Sequence, residues 1–359
     1  MHSISDRIHM SEALRLAKMG LYTTSPNPRV GAVVVRDGTV IGTGWHRRAG
    51  EPHAEIHALQ GIDAKGAEIY VTLEPCSHHG RTPPCADALI AAGLSRVVVA
   101  MEDPNPLVAG RGISRLREAG IRVECGLLEN EARALNVGFV SRMTRGRPWV
   151  RMKVAASLDG KTALSNGESR WITGEAARRD GHRLRARSCA ILTGIGTVLG
   201  DDPQMNVRQI ETSRQPLKVI VDSRLRIPEN AKILEGGAIV VCASGNREKA
   251  ERLAAAGVEV LFLPGNDGRV DLHALLVELG SRGINELHVE AGETLSGALL
   301  SEGLVDEIVA YMAPVLLGSR ARGMFGIPEL ETMDSKISLE ILDMRMVGKD
   351  LRVIWRPNV

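Results

Sequence analysis

Aromatic residues are scarce in this chain, at 3% of 359 positions, and the formal net charge is only +2 with no basic run. A nucleic-acid surface needs a cationic track and stacking rings, so no nucleic-acid partner is expected. Cysteine is also rare, five in all. That is too few for a disulfide framework, and the polar start Met1-His2-Ser3-Ile4-Ser5-Asp6 lacks the apolar stretch of a secretory signal. No apolar run approaches the roughly 20 residues of a membrane span. Together these absences predict a soluble, cytoplasmic protein with reduced thiols and no membrane partner.

Histidine is present but lopsided: seven of ten lie before residue 80, and His182, His273 and His288 are scattered beyond. Within the rich part stands His53-Ala54-Glu55, followed by Pro75-Cys76 and then Cys85. One imidazole and two thiolates suit a tetrahedral Zn²⁺ and leave its fourth position open, where a bound water turns acidic. Glu55 sits two residues after the histidine, where zinc nucleobase deaminases place their proton shuttle. The general signature separates its cysteines by two residues; here eight intervene. Two plainer readings compete, a buried histidine with unpaired core cysteines and a Cys76–Cys85 disulfide. The polar, Pro- and His-rich segment from Glu74 to Cys85 does not read as a core strand, and the cysteine usage argues against the disulfide. One zinc per chain is expected, on His53, Cys76 and Cys85.

The length suggests two domains. Up to about residue 145 the pattern reads α-β-β-α-β-α-β-α-β-α. It has a helix over 7–20 (Ile8, Ala13, Leu14, Leu16, Ala17), a hairpin at Asp37-Gly38, helices over 53–60 and 85–92, and a last helix over 129–143. Pro52 and Pro83-Pro84 place His53 and Cys85 at helix N-termini, where the local positive potential favours a thiolate. The Gly146-Arg147-Pro148 break sets the expected boundary, 1–147 and 148–359. Beyond it strands and helices alternate, which predicts a second α/β domain with a largely parallel sheet. Two features there suit a phosphate ligand. Thr193-Gly194-Ile195-Gly196-Thr197 follows a strand, although no helix clearly follows it, and the spacing is not that of the dinucleotide fingerprint. Asp222-Ser223-Arg224 closes another strand, where an arginine can pair with the 2′-phosphate of NADP.

With both halves in view, the chain resembles the bifunctional riboflavin-biosynthesis deaminase/reductases of bacteria over essentially its whole length. In the first half the resemblance rests on 25–32 (SPNPRVGA), 50–55 (GEPHAE), 72–85 (TLEPCSHHGRTPPC), 103–106 (DPNP) and 110–112 (GRG). In the second it rests on 157–163 (SLDGKTA), 167–173 (GESRWIT), 197–203 (TVLGDDP) and 289–292 (VEAG). The long loop between the cysteines is a feature of this family and the most specific string in the chain. The resemblance implies a cytidine-deaminase-like three-layer α/β/α domain followed by a dihydrofolate-reductase-like α/β domain. It implies hydrolysis of the ring 2-amino group of a phosphoribosylamino pyrimidine, then reduction of the ribosyl chain with NADPH, in a homodimer or homotetramer.

Residue by residue, the resemblance makes Glu55 the acid/base of deamination and sets Asn27, His46 and Arg81 against the substrate. In the reductase it offers Lys153 and Glu290 as catalytic candidates, Glu290 also as a substrate contact; on residue pattern alone both are equally compatible with an exposed strand face. Ser169, Arg185, Met205 and Arg208 match substrate positions. Ala155, Trp171, Thr197, Asp201, Ser223 and 292–298 (Gly292, Glu293, Thr294, Leu295, Ser296, Gly297, Ala298) match cofactor positions, beside Arg224. Three other readings are weighed against this one. A tRNA or nucleoside deaminase would carry a short Cys-x-x-Cys and a basic aromatic groove. A zinc-stabilised binding module would not need Glu55. A single-activity nucleobase deaminase would keep the second domain as scaffold. The stretch Leu304–Val309 is compatible with an association strand or with core.

Overall fold

The computed structural model describes residues 2–77, 84–106 and 108–358. The chain divides into two compact units, Met1–Gly146 and Arg147–Val359.

In the first unit, strands β1 (Gly31–Arg36), β2 (Thr39–Trp45), β3 (Glu68–Val71), β4 (Arg96–Val99) and β5 (Arg122–Cys125) form one sheet in the order β2-β1-β3-β4-β5. β1 runs antiparallel to β2 and β3, and β3, β4 and β5 are parallel. Side chains alternate across a strand, and both faces here are apolar. Val33, Val35, Tyr70 and Val98 pack under the helix Ile4–Ala17 and the C-terminal helices. Ala32, Val34, Ile69, Val71, Val97 and Val99 pack under the helices Ala54–Leu59, Cys85–Ala91 and Arg111–Glu118. The result is three layers, α/β/α. Gly44 shows how tightly they meet: a Cβ there would lie 2.3 Å from the Ala54 carbonyl oxygen, so the helix bearing Glu55 rests on the strand backbone itself.

Two sequence expectations change in this unit. Ile8 is 61% exposed, and the first helix buries Met10, Ala13, Leu14, Leu16 and Ala17 instead. The single helix expected over 129–143 is two, Glu129–Leu135 and Val137–Arg145. Asn136 interrupts them because its buried amide serves another strand entry: Oδ1 accepts from Arg29 N (2.8 Å) and Nδ2 donates to Arg29 O (2.9 Å).

The second unit carries β6 (Trp149–Ser157), β7 (Lys161–Ala163), β8 (Ala190–Gly194), β9 (Leu217–Val221), β10 (Ala238–Cys242) and β11 (Val258–Phe262). It continues with β12 (Glu286–Val289), β13 (Glu307–Ala313), β14 (Arg322–Gly323), β15 (Ser338–Val347) and β16 (Asp350–Asn358). Nine of them form a sheet in the order β11-β10-β9-β8-β12-β6-β13-β16-β15, with β14 and β7 as a small separate pair. The sheet is parallel from β11 to β13, as expected, and antiparallel over β16 and β15. β13 lies inside the sheet, and Leu304 and Val305 are buried, so 304–309 is core; the edge strands are β11 and β15. A helix does follow the Gly194 turn, Ile195–Asp201 with Gly194 as its N-cap, contrary to the sequence reading.

The charged residues of β6 and β12 are not on an exposed face. Val150, Met152, Leu287 and Val289 join the main apolar cluster. On the opposite side Arg151, Glu286 and His288 are 2%, 0% and 0% exposed. Arg151 bridges Glu286 (2.9 Å) and Glu307 (2.6 Å), and Arg187 of the helix Glu175–Arg187 also reaches Glu286 (2.7 Å). Buried charges persist only when paired in this way.

Candidate active sites

In the first unit the helix Ala54–Leu59 begins at its N-cap His53, whose imidazole makes no capping bond and is available elsewhere. Cys85 opens the helix Cys85–Ala91, and Cys76 lies on the loop after β3. His53 Nδ1 is 3.2 Å from Cys85 Sγ and 3.6 Å from Cys76 Sγ, and all three donor atoms lie within 4.8 Å of one another. Ligand atoms around a tetrahedral zinc stand about 3.6 Å apart, given Zn–S near 2.3 Å and Zn–N near 2.0 Å. The donor set fits that ion. The hydrogen bond from Cys85, with help from His53, draws Cys76 down to about 4, while that bond and burial push Cys85 up, so the first proton is lost from Cys76. Zinc would bind both as thiolates and offset their mutual repulsion.

Glu55, the second residue of the helix, is 3% exposed, and its Oε2 is buried without a hydrogen-bond partner among the described residues. Burial pushes its carboxyl up to about 7. A carboxyl with a proton affinity near neutral suits a group that must both take and give a proton. Nearby, His46 is 2% exposed and donates from Nδ1 to the Pro52 carbonyl (3.2 Å). Burial lowers its pKa and keeps it neutral, so Nε2 accepts, and it meets Asn27 Nδ2 at 3.1 Å. That bond orients the Asn27 amide. Arg81, also expected at this site, lies outside the described residues.

In the second unit a cavity of about 1750 Å³ opens at the C-terminal ends of β6, β8, β9 and β12, the end of a parallel sheet where ligands bind. Lys153, Ala155, Ser169, Trp171, Arg185, Thr197, Asp201, Met205, Arg208, Ser223, Arg224 and Glu290 all line it. So do Gly292, Glu293, Thr294, Leu295 and Ala298, at the start of the helix Glu293–Ser301. Ser296 and Gly297 do not. Ser296 is buried and donates to the Ala291 carbonyl (3.4 Å), and a Cβ on Gly297 would lie 2.3 Å from Gly326 O. Both residues face packing, on the inner side of that helix.

Glu290 is the electrostatic centre of this cavity. Its carboxylate accepts from Arg185 Nε (2.5 Å) and Nη2 (2.9 Å) and from His288 Nε2 (3.1 Å), with Lys153 Nζ 3.9 Å away. Burial works to raise its pKa, but Arg185 and Lys153 outweigh it and hold it well below the usual carboxylate range. Burial lowers the Lys153 pKa, against the pull of Glu290. His182 and His288, which the sequence reading left without roles, belong to this cluster. Burial, aided by Arg185 and Arg208, holds His182 down to about 4, and its Nδ1 accepts from Arg208 N (3.4 Å). The available signal was spacing: His182 stands three residues before Arg185 on one helix, and His288 alternates with Glu286 and Glu290.

Comparison with known proteins decides what these two sites are. Residues 148–353 match the family described as RibD C-terminal domain, and residues 3–101 match the cytidine and deoxycytidylate deaminase zinc-binding region. The riboflavin biosynthesis protein RibD of Escherichia coli (strain K12) is 49% identical over 97% of this chain and 98% of its own length. The chain belongs to the RibD family. The RibD protein of Aquifex aeolicus is 43% identical over 98% of both chains. A solved structure of Acinetobacter baumannii RibD superposes with a TM-score of 0.92, at 48% identity and 99% coverage of both chains. One from Thermotoga maritima, described as a diaminohydroxyphosphoribosylaminopyrimidine deaminase/5-amino-6-(5-phosphoribosylamino)uracil reductase, gives 0.86 at 34% identity, covering 98% of this chain and 99% of its own. As a RibD-family member the chain is a bifunctional riboflavin-biosynthesis enzyme, a deaminase and a reductase that use Zn²⁺ and NADPH. A lone deaminase with an inert accessory unit is not favoured. Among the described residues no helix is long and apolar enough to cross a membrane.

Proposed function

We propose that the chain acts on the substrates named for the Thermotoga maritima protein. It deaminates 2,5-diamino-6-hydroxy-4-(5-phosphoribosylamino)pyrimidine to 5-amino-6-(5-phosphoribosylamino)uracil, then reduces the ribosyl to a ribityl side chain. Deamination belongs to residues 1–147 and reduction to 148–359. The observation that carries the reading is the buried Glu55 carboxyl, its Oε2 without a partner among the described residues, beside three converging metal donors.

His53, Cys76 and Cys85 would hold the zinc, which when bound would supply the Lewis acidity that makes water a nucleophile near neutral pH. Glu55 Oε2 is placed to take a proton from the attacking water and pass it to the ring nitrogen, then to take a second from the hydroxyl added to the ring carbon and deliver it to the departing amine. Asn27, held by His46, reads the polar edge of the ring, and Arg81 takes the phosphate. In the second site NADPH supplies the hydride. Ser169, Arg185 and Arg208 would hold the substrate phosphate, with Met205 packing beside them, and Ser223 and Arg224, which line the same cavity, would take the cofactor's 2′-phosphate. Of the two candidate proton donors the electrostatics favour Lys153 Nζ, because Glu290 is held ionised and has no proton to give.

The finer points of setting are proposed with it: a cytoplasmic enzyme, without nucleic-acid partners, that forms a homodimer or homotetramer. The edge strand β15 supports self-association, with Ile341, Met344 and Met346 each 62% exposed. Antiparallel pairing of two copies about Leu342–Asp343 would set Glu340 against Arg345. The functional test is product identity by mass spectrometry. Glu55→Gln should keep zinc and NADPH-dependent reduction of deaminated substrate, yet slow ammonia release by about two to four orders of magnitude. Near-normal ammonia release would remove Glu55 from the mechanism.

A further inference from the structure

We propose that Glu74 is a positioning residue for the deaminase metal centre: it sets the place of Cys76 by clamping the backbone on which Pro75 rests. The proposal rests on the reading of Cys76 as a zinc ligand. Glu74 ends the β3 exit, two residues before Cys76, and is 3% exposed. A carboxylate offers about four acceptor positions, and four backbone N–H groups fill them here. Asp103 N (3.1 Å) and Gly110 N (3.0 Å) donate to Oε2, and Gly112 N (2.8 Å) and Ile113 N (3.2 Å) to Oε1. All four donors come from the segment after β4 and the first turn of the helix Arg111–Glu118. Glu74 N in turn donates to Met101 O (3.0 Å).

The clamp brings two backbones into contact. A Cβ on Gly112 would lie 2.0 Å from the Pro75 carbonyl oxygen and 3.2 Å from Glu74 Oε1, so no side chain fits there without moving Pro75. Cys76 is tied on its other side, its carbonyl accepting from Ala86 N (3.1 Å) and its sulfur from Cys85 N (3.3 Å). Pro75-Cys76 is thus held between two helix N-termini, one through Glu74 and Gly112 and the other through the helix that bears Cys85. Ligand distances in a well-formed metal site stay within about 0.2 Å of their ideal values. A shift of Pro75 passes directly to its neighbour's sulfur.

The readout is zinc affinity of the full-length protein, by competition with a chelator of known strength, well below the melting transition. Glu74→Gln is nearly isosteric, yet it turns one acceptor into an N–H₂ group facing N–H donors, and it should weaken zinc by about 10–100-fold. Gly112→Ala, which pushes on Pro75 from the other side, should weaken it comparably, and it carries the same test should Glu74→Gln not fold. Leu14→Ala, in the apolar layer on the opposite face of the sheet, provides the comparison: it lowers Tm without altering zinc affinity. If both clamp variants lower Tm as Leu14→Ala does but bind zinc within about threefold of the parent, a range too small for an outer-shell effect, Glu74 is a fold residue only and the proposal fails. Cys76→Ala separates the two claims. Zinc retained at parental affinity there would overturn the ligand reading itself, whatever Glu74 does.

Discussion

Replacing Glu290 by Gln would remove the negative charge at the centre of the reductase cluster while keeping its shape. Lys153 Nζ stands 3.9 Å from Glu290 Oε2. At an effective dielectric constant of about 20 their attraction is about 4 kcal/mol, or about a thousandfold in the proton affinity of Lys153. Burial and Arg185 already act to lower that affinity. Reduction that draws its proton from Lys153 falls as pH rises past the lysine's pKa, so in Glu290→Gln this limb of kcat/KM moves to lower pH. Stability falls too, by roughly 3–5 kcal/mol, because Arg185 is left buried without its counter-charge. Glu290 has a depressed folded pKa, so its contribution is complete above the ordinary carboxylate value and disappears as pH falls through the folded value. The stability gap between parent and variant is therefore widest near neutrality and narrows below about pH 4. The assay is NADPH oxidation with deaminated substrate between pH 6 and 10, alongside thermal melts. An unmoved alkaline limb in a folded variant would refute Lys153 as the proton source.

Three other outcomes are expected. Cys76→Ala combined with Cys85→Ala should abolish stoichiometric zinc by elemental analysis, and zinc that survives would place the metal elsewhere. Arg224→Ala should weaken NADPH by about 1–3 kcal/mol, a charge-assisted contact's worth, and leave NADH nearly unchanged; equal loss with both would assign the residue to folding or substrate. His53→Ala should end ammonia release while NADPH still binds, as titrated by cofactor fluorescence; loss of both would show that the sites are coupled.

The metal donors were legible because their chemistry is local. A histidine after Pro52 and a cysteine after Pro84 announce helix starts, and both lie at helix starts. Lys153 and Glu290 were not legible from pattern, since charged residues alternating along a strand describe a wet face as well as a buried one. Only the helix Glu175–Arg187, which brings Arg185 and Arg187 over that face, decides between them. The helix Ile195–Asp201 was missed because Gly196 and Gly200 depress helix propensity. The break at Asn136 escaped notice because its cause, Arg29, lies 107 residues away. Glu74 was visible only as part of a motif; its four donors come from positions 29 to 39 residues further on.

The place of β6 in its sheet has a consequence for synthesis. It is the first strand of the second unit, yet its neighbours β12 and β13 are among the later ones, and its Arg151 meets Glu286 135 residues on and Glu307 156 residues on. At 5–20 residues per second a ribosome needs roughly 7–30 seconds to supply those partners. Throughout that interval β6 lacks both neighbouring strands, and its Arg151 and Lys153 lack their counter-charges, whereas every metal donor, from His53 to Cys85, is already out. Release of nascent chains stalled before residue 286 should therefore yield zinc-binding species with a protease-sensitive second half. The order of assembly then matches the order of the two reactions.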